Sequence, residues 1–179
     1  DTVADTVGSA GSEIAGLVHC AASGVHRPFS ELTNRHFDWT FSINVKAYFE
    51  LINRLLSQFS KGASIVAISS AGAERAAPTY SLVGASKGAL SALSRHLAVE
   101  LAPRNIRVNI LSPGTVLTDA WNAMPHREER LSERIRRSPN QRLTTVEEVA
   151  WAAQFLCSDA SSGINGHTLY VDGGERIVE

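Results

Sequence analysis

The chain has 179 residues, 44% hydrophobic and 20% charged, with a formal net charge of −1. That length suits one domain with a sizeable core, and a near-neutral balance points neither to nucleic acid nor to an acidic membrane surface. No apolar run approaches the ~18 residues of a membrane span, no signal peptide is visible, and the distant Cys20 and Cys157 offer neither a disulfide framework nor a zinc pattern.

In chain order, Gly8 and Gly11 lie in a weak helix that follows no strand. Leu17 to Cys20 reads as a buried strand. Phe41 to Phe59 carries Ile43, Ala47, Leu51 and Leu55 at helical spacing and reads as one long helix. Ser64 to Ser69 is the next strand. A second long helix runs from Thr79 to Ala102 and stops before Pro103. Ile106 to Leu111 is a strand that ends at the Pro113-Gly114 turn. A polar helix follows over Arg127 to Arg137. Another opens at Thr144 or Thr145, with Glu147 or Glu148 placed for a capping box, and reaches Cys157. Thr168 to Val171 is the last strand, closed by Asp172-Gly173-Gly174.

This alternation predicts an α/β fold, a Rossmann-like doubly wound parallel sheet, in which ligands bind beyond the carboxyl ends of the strands. Ala21 to Gly24, Ser69-Ser70 and Pro113-Gly114 all fall there. The glycine-rich strand–turn–helix portion that usually opens such a sheet has no counterpart, since no G-x-G-x-x-G cluster occurs. Residues 1–179 are therefore expected to form a single, partial domain that begins partway through the fold. The natural protein is expected to exceed the 19.3 kDa of this chain in an intact-mass measurement.

Tyr80 and Lys87 stand seven residues apart, just beyond the Ser64–Ser70 strand end. Seven residues is about two helical turns, so both side chains can share one helix face, ~10 Å apart along its axis. A phenol and an ammonium facing one pocket make a proton-transfer pair, because the cation favours ionisation of the phenol. An ordinary helix with one Tyr and one Lys on a shared face has the same spacing.

The stretch Tyr80-Ser81-Leu82-Val83-Gly84-Ala85-Ser86-Lys87, its lead-in from Gly72, the run Val18 to Val25 and the terminal Val171-Asp172-Gly173-Gly174 together resemble the short-chain dehydrogenase/reductase superfamily. Within it the likeness is to bacterial enoyl-acyl-carrier-protein reductases. Their Y-x6-K pattern fits Tyr80 and Lys87, whereas the commoner Y-x3-K pattern would need a tyrosine where Val83 stands. The resemblance covers the whole chain but only the later two-thirds of a typical member.

The resemblance implies an NAD(P)H-dependent oxidoreductase that reduces the 2,3 double bond of enoyl thioesters in fatty-acid elongation. Tyr80 would hydrogen-bond the thioester carbonyl oxygen and stabilise the enolate. Lys87 would bind the nicotinamide ribose. Ser70 would assist as a helper hydroxyl, and Asn44 would kink a helix and serve a proton relay. Ala21, Ala22, Gly114, Val116 and Thr118 would contact the cofactor. Gly24 and Trp121 would join Tyr80 at the substrate, with Met124 beside Trp121 in an acyl channel. Residues 121–142 would be the substrate-covering helical segment. His19 is expected to be a buried strand residue. No metal is implied. Either NADPH or NADH fits, with NADPH slightly favoured by the resemblance. A cytoplasmic homodimer or homotetramer is implied, acting on substrates carried by an acyl carrier protein.

Three points stay open. Ser70 and Asn44 suit backbone hydrogen bonding as well as catalysis. The arginines between Arg127 and Arg142 read as a carrier-protein surface or as a solvated helix balanced by Glu128, Glu129 and Glu133. The scaffold would equally support a ketone or ketoacyl reductase, an alcohol dehydrogenase, or a non-catalytic assembly fragment.

Overall fold

The computed structural model describes residues 2–11, 13–118 and 127–178. Four strands, β1 (Ile14–His19), β2 (Phe59–Ile68), β3 (Arg107–Pro113) and β4 (Thr168–Val171), form one sheet in the order β1-β2-β3-β4. All three pairings are parallel, with Val18 beside Val66, Val66 beside Asn109 and Leu111 beside Leu169. The helices are α1 (Thr2–Ser9), α2 (Asn34–Phe41), α3 (Ala47–Leu55), α4 (Ser81–Leu101), α5 (Arg127–Arg137) and α6 (Val146–Cys157).

Successive residues of a strand point to opposite faces, and β2 uses both. Ile65 and Ala67 join Tyr48, Ile52 and Leu55 of α3 and Leu90, Ala98 and Leu101 of α4 in one core. Val66 packs on the other face with Leu111 and with Ala153 and Leu156 of α6. Helices thus cover both sides of a parallel sheet, the doubly wound arrangement. A central strand buried on both faces accounts for the unbroken apolar run Ile65 to Ile68.

The expected long helix over 41–59 comprises the end of α2, a π-helical turn, α3 and a 3-10 turn, and Phe59 already belongs to β2. The hydroxyl of Thr33 accepts from the His36 N–H and the His36 ring accepts from the Thr33 N–H, which starts α2 well before Phe41. A π-helical turn over Ser42–Lys46 then joins α2 to α3. The extra residue of a π turn rotates the stripe, so Asn44, Tyr48 and Ile52 are buried with the expected Leu55, while Ile43, Ala47 and Leu51 are half-buried. β2 also starts five residues before the expected Ser64, because Phe59 pairs with Ile14 across an irregular register.

Candidate active site

The site is built where β2 hands over to α4. Lys87 lies on the buried face of α4, 6% exposed, and its Nζ donates to the carbonyl of Ile68, the last residue of β2, at 2.7 Å. Burial pulls this ammonium down to about 8, and the nearby Cys20 thiol opposes that shift. Tyr80 stands at the N-cap of α4, and its hydroxyl lies 3.5 Å from Ser70 Oγ. Both side chains therefore address the carboxyl end of β2, two residues apart. Ser69 between them is buried and shares a 2.9 Å hydrogen bond with Ser91.

Close backbone approach fixes the tyrosine. A Cβ on Gly72 would fall 2.3 Å from the Tyr80 ring, and one on Gly84 would fall 2.7 Å from the Gly72 carbonyl oxygen. Thr79 immediately before Tyr80 has φ +61, a left-handed conformation that a β-branched residue adopts only under constraint. Val83, where the commoner superfamily motif has its tyrosine, is buried against Gly24, whose Cβ would lie 2.1 Å from the Val83 side chain. Gly24 thus has a packing role that its sequence position did not disclose.

Asn44, fully buried in the π turn, accepts from the Ser23 N–H and donates to the Ser23 carbonyl, both at 2.8 Å. Its amide also reaches Ser86 Oγ at 2.8 Å, one residue from Lys87. Trp39 Nε1 donates to Ser23 Oγ at 2.9 Å. The clamp on Ser23 holds the loop of Ala21 and Ala22, which are exposed beyond β1. Ser23 and Trp39 carry no motif, and their partners lie 16 and 21 residues away, so no local signal could have singled them out. His26, equally unmarked in the sequence, sets its ring 5.3 Å from that of Tyr80. Burial, then the charge of Arg130, lowers its pKa. His19 is buried beside Tyr48, as expected, and its Nε2 has no hydrogen-bond partner among the described residues.

Gly114 donates to the Val171 carbonyl at 2.8 Å, and a Cβ there would meet the Asp172 backbone at 2.8 Å. Val116 pairs with Thr144 in an isolated parallel bridge, so the turn after β3 is pinned to the start of α6. Thr118 is exposed at the end of this turn. Trp121 and Met124 lie outside the described residues. A small cavity lined by Asn140, Arg142, Thr144, Glu148 and Gly173 sits at the β4 end, and neither Tyr80 nor Lys87 lines it. The Arg142–Glu148 pair at its edge, at 2.6 Å, and the Arg137–Glu133 contact support the charge-balanced reading of this region.

A doubly wound parallel sheet with hydroxyls and an ammonium gathered at its carboxyl edge defines a Rossmann-type protein of the dehydrogenase class. The chain belongs to the enoyl-acyl-carrier-protein reductase family of the short-chain dehydrogenase/reductase superfamily: the family profile described as Enoyl-(Acyl carrier protein) reductase matches residues 1–175. It is 34% identical over 166 residues to the NADH-named enoyl-acyl-carrier-protein reductase FabI of Nostoc, covering 90% of this chain and 64% of that protein. It is also 36% identical over 170 residues to the L-xylulose reductase of Mesocricetus auratus, covering 90% of this chain and 68% of that protein. The solved Bacillus cereus enoyl-acyl-carrier-protein reductase, described with NADP+ and an indole naphthyridinone, superposes with TM-score 0.93 at 27% identity, covering 99% of this chain and 71% of that one. The chain spans 56–64% of the length of the first curated enoyl reductases it matches.

The residues present fit a nicotinamide nucleotide. Ala21 and Ala22 leave room at the β1 end. Lys87 commits one of its three donors to Ile68, and among the described residues no second acceptor is seen, so two donors would be open to a ribose.

Proposed function

We propose that the protein reduces the 2,3 double bond of enoyl thioesters. The observation that carries this reading is the position of Tyr80 at the N-cap of α4, one turn before Val83, with Val83 buried under Gly24. Moving the phenol one turn outward from the usual place leaves room for a substrate that accepts hydride two carbons beyond its carbonyl carbon. A bound reduced nicotinamide would supply the hydride. Tyr80 donates a hydrogen bond to the thioester oxygen and stabilises the enolate that develops there. Lys87 holds the ribose and keeps positive charge near the phenol. Ser70 shares the Tyr80 hydroxyl and orients it. Gly114, Val116 and Thr118 shape the carboxamide side. We place the activity in a cytoplasmic homo-oligomer working on carrier-bound acyl chains, with NADH or NADPH as reductant.

A second reading, reduction of a ketone, draws on Ser70. A serine hydroxyl and a phenol 3.5 Å apart can hold a single carbonyl oxygen between them. The likeness to L-xylulose reductase speaks for the same chemistry. Loss of nicotinamide absorbance with a crotonyl thioester and then an acetoacetyl thioester separates the two. The full-length protein is expected to consume the first; activity on the second alone overturns the enoyl reading. Tyr80→Phe is expected to lower turnover by about 10²–10³, the loss typical of one oxyanion donor, with cofactor affinity nearly unchanged. Equal losses in both would make Tyr80 a packing residue.

A further inference from the structure

We propose that Glu175, in the turn after β4, is a positioning residue that fixes α5 beside the Tyr80 face and so sets the affinity for the acyl part of the substrate. Its kinetic consequence rests on the enoyl-thioester reading; its structural consequence does not.

None of the eleven residues of α5 is buried. A helix with no buried stripe gains little from tertiary packing, and isolated helices of this length are marginal in water. Something polar must hold it. Arg134 Nη1 of α5 donates to Glu175 Oε1 at 2.8 Å, and the Glu175 side chain is only 13% exposed. A carboxylate so withdrawn from water is screened less than one in a fully exposed pair, and removing its partner leaves it uncompensated.

The turn that carries Glu175 is itself hydrogen-bonded. Gly173 and Gly174 take φ of +60 and +88. The Asp172 carboxylate accepts the N–H groups of Gly174 and Arg176 at 3.0 and 3.1 Å. On its other side the turn grips the segment that leads to Tyr80. Arg75 donates to the Glu175 carbonyl at 3.4 Å. Arg176 pairs with Glu74 at 3.6 Å and lies 3.7 Å over the Tyr170 ring, while the Tyr170 hydroxyl donates to Glu74. One turn therefore ties α5 to the chain segment that ends at Tyr80. The charge of Arg130 on α5 is felt by His26, whose ring lies 5.3 Å from that of Tyr80, which sets α5 toward the same side as the phenol.

The test uses the full-length protein with Glu175→Gln, Glu175→Arg, Arg134→Glu and the charge-swapped double variant. Tryptic cleavage is followed at Arg130 and Arg136, which every variant keeps. Each single variant is expected to be cut roughly fivefold faster or more, and the swap to restore slow cleavage. KM for long-chain enoyl thioesters is expected to rise in the single variants and recover in the swap, with kcat and nicotinamide affinity nearly unchanged. Unchanged cleavage in Glu175→Gln, or a swap that restores nothing, overturns the tether. Restored cleavage with KM indifferent to the tether overturns the role in acyl binding. If cleavage follows the tether but no variant, nor the parent, reduces an enoyl thioester, the tether stands and the functional reading falls.

Discussion

At the residue scale, the site turns on a cation kept out of water. Lys87 has its pKa near 8 instead of the usual 10.5 because burial disfavours the charged form. Two consequences with opposite signs follow. The folded state binds fewer protons than the unfolded chain between about 8 and 10.5, so this group makes the fold more stable as pH rises through that window. The ammonium that would hold a ribose is lost over the same rise. Cofactor affinity is therefore expected to fall above pH 8 while the denaturation midpoint does not, and Lys87→Met is expected to remove that pH dependence from both. Titration of cofactor binding from pH 7 to 10 checks it; an affinity flat across that range in the parent defeats the assignment. The sequence spacing marks Tyr80 and Lys87 as a pair on one helix face; in the structure Tyr80 is the N-cap just before α4 and Lys87 lies within the helix. Ser23, His26 and Glu175 were not legible in the sequence, because their partners are distant in the chain and a lone Ser, His or Glu has no period.

At the element scale, local chemistry decided what could be read. The bounds of β4 and α5 agree with the sequence expectation, and α6 starts at the expected capping box of Thr145 and Glu148. These signals lie within three or four residues of each other. The π turn defeated the reading of 41–59, since one inserted residue leaves an apolar pattern that still looks helical while rotating its buried stripe. The start of α2 was hidden because its cap uses His36 where Glu or Gln is the usual signal. The crossing of α4 over the Gly72 loop was equally invisible, though it is where the tyrosine is set. Gly84→Ala puts a methyl group 2.7 Å from a backbone oxygen, which cannot move as a side chain can. We expect a loss of about 1–3 kcal/mol in stability and a larger fractional loss of turnover than of cofactor affinity, because Tyr80 is displaced before Lys87 is. Urea denaturation together with steady-state kinetics decides this. A fully active Gly84→Ala protein would show that the helix can shift without moving the phenol.

At the scale of the whole molecule, both covered faces of the sheet still leave large apolar side chains outside. Phe49 of α3 is 50% exposed and Val99 of α4 is 74% exposed, on helices whose inner faces already fill the core. On the opposite side, Trp151 of α6 is 66% exposed. Burying a Phe or Val side chain releases roughly 1.5–3 kcal/mol, and a two-fold contact counts each one twice. Helices α3 and α4 are therefore expected to form one self-association surface and α6 a second. The full-length protein should sediment as an oligomer at micromolar concentration. Phe49→Glu combined with Val99→Glu should break one contact, and Trp151→Glu the other, each giving a smaller species with its circular dichroism unchanged. Because the two surfaces lie on opposite sides of the sheet, combining all three substitutions should yield monomers. A parent protein already monomeric at that concentration would mean these side chains are covered within one chain or stay in water, and the assembly proposed above would fall.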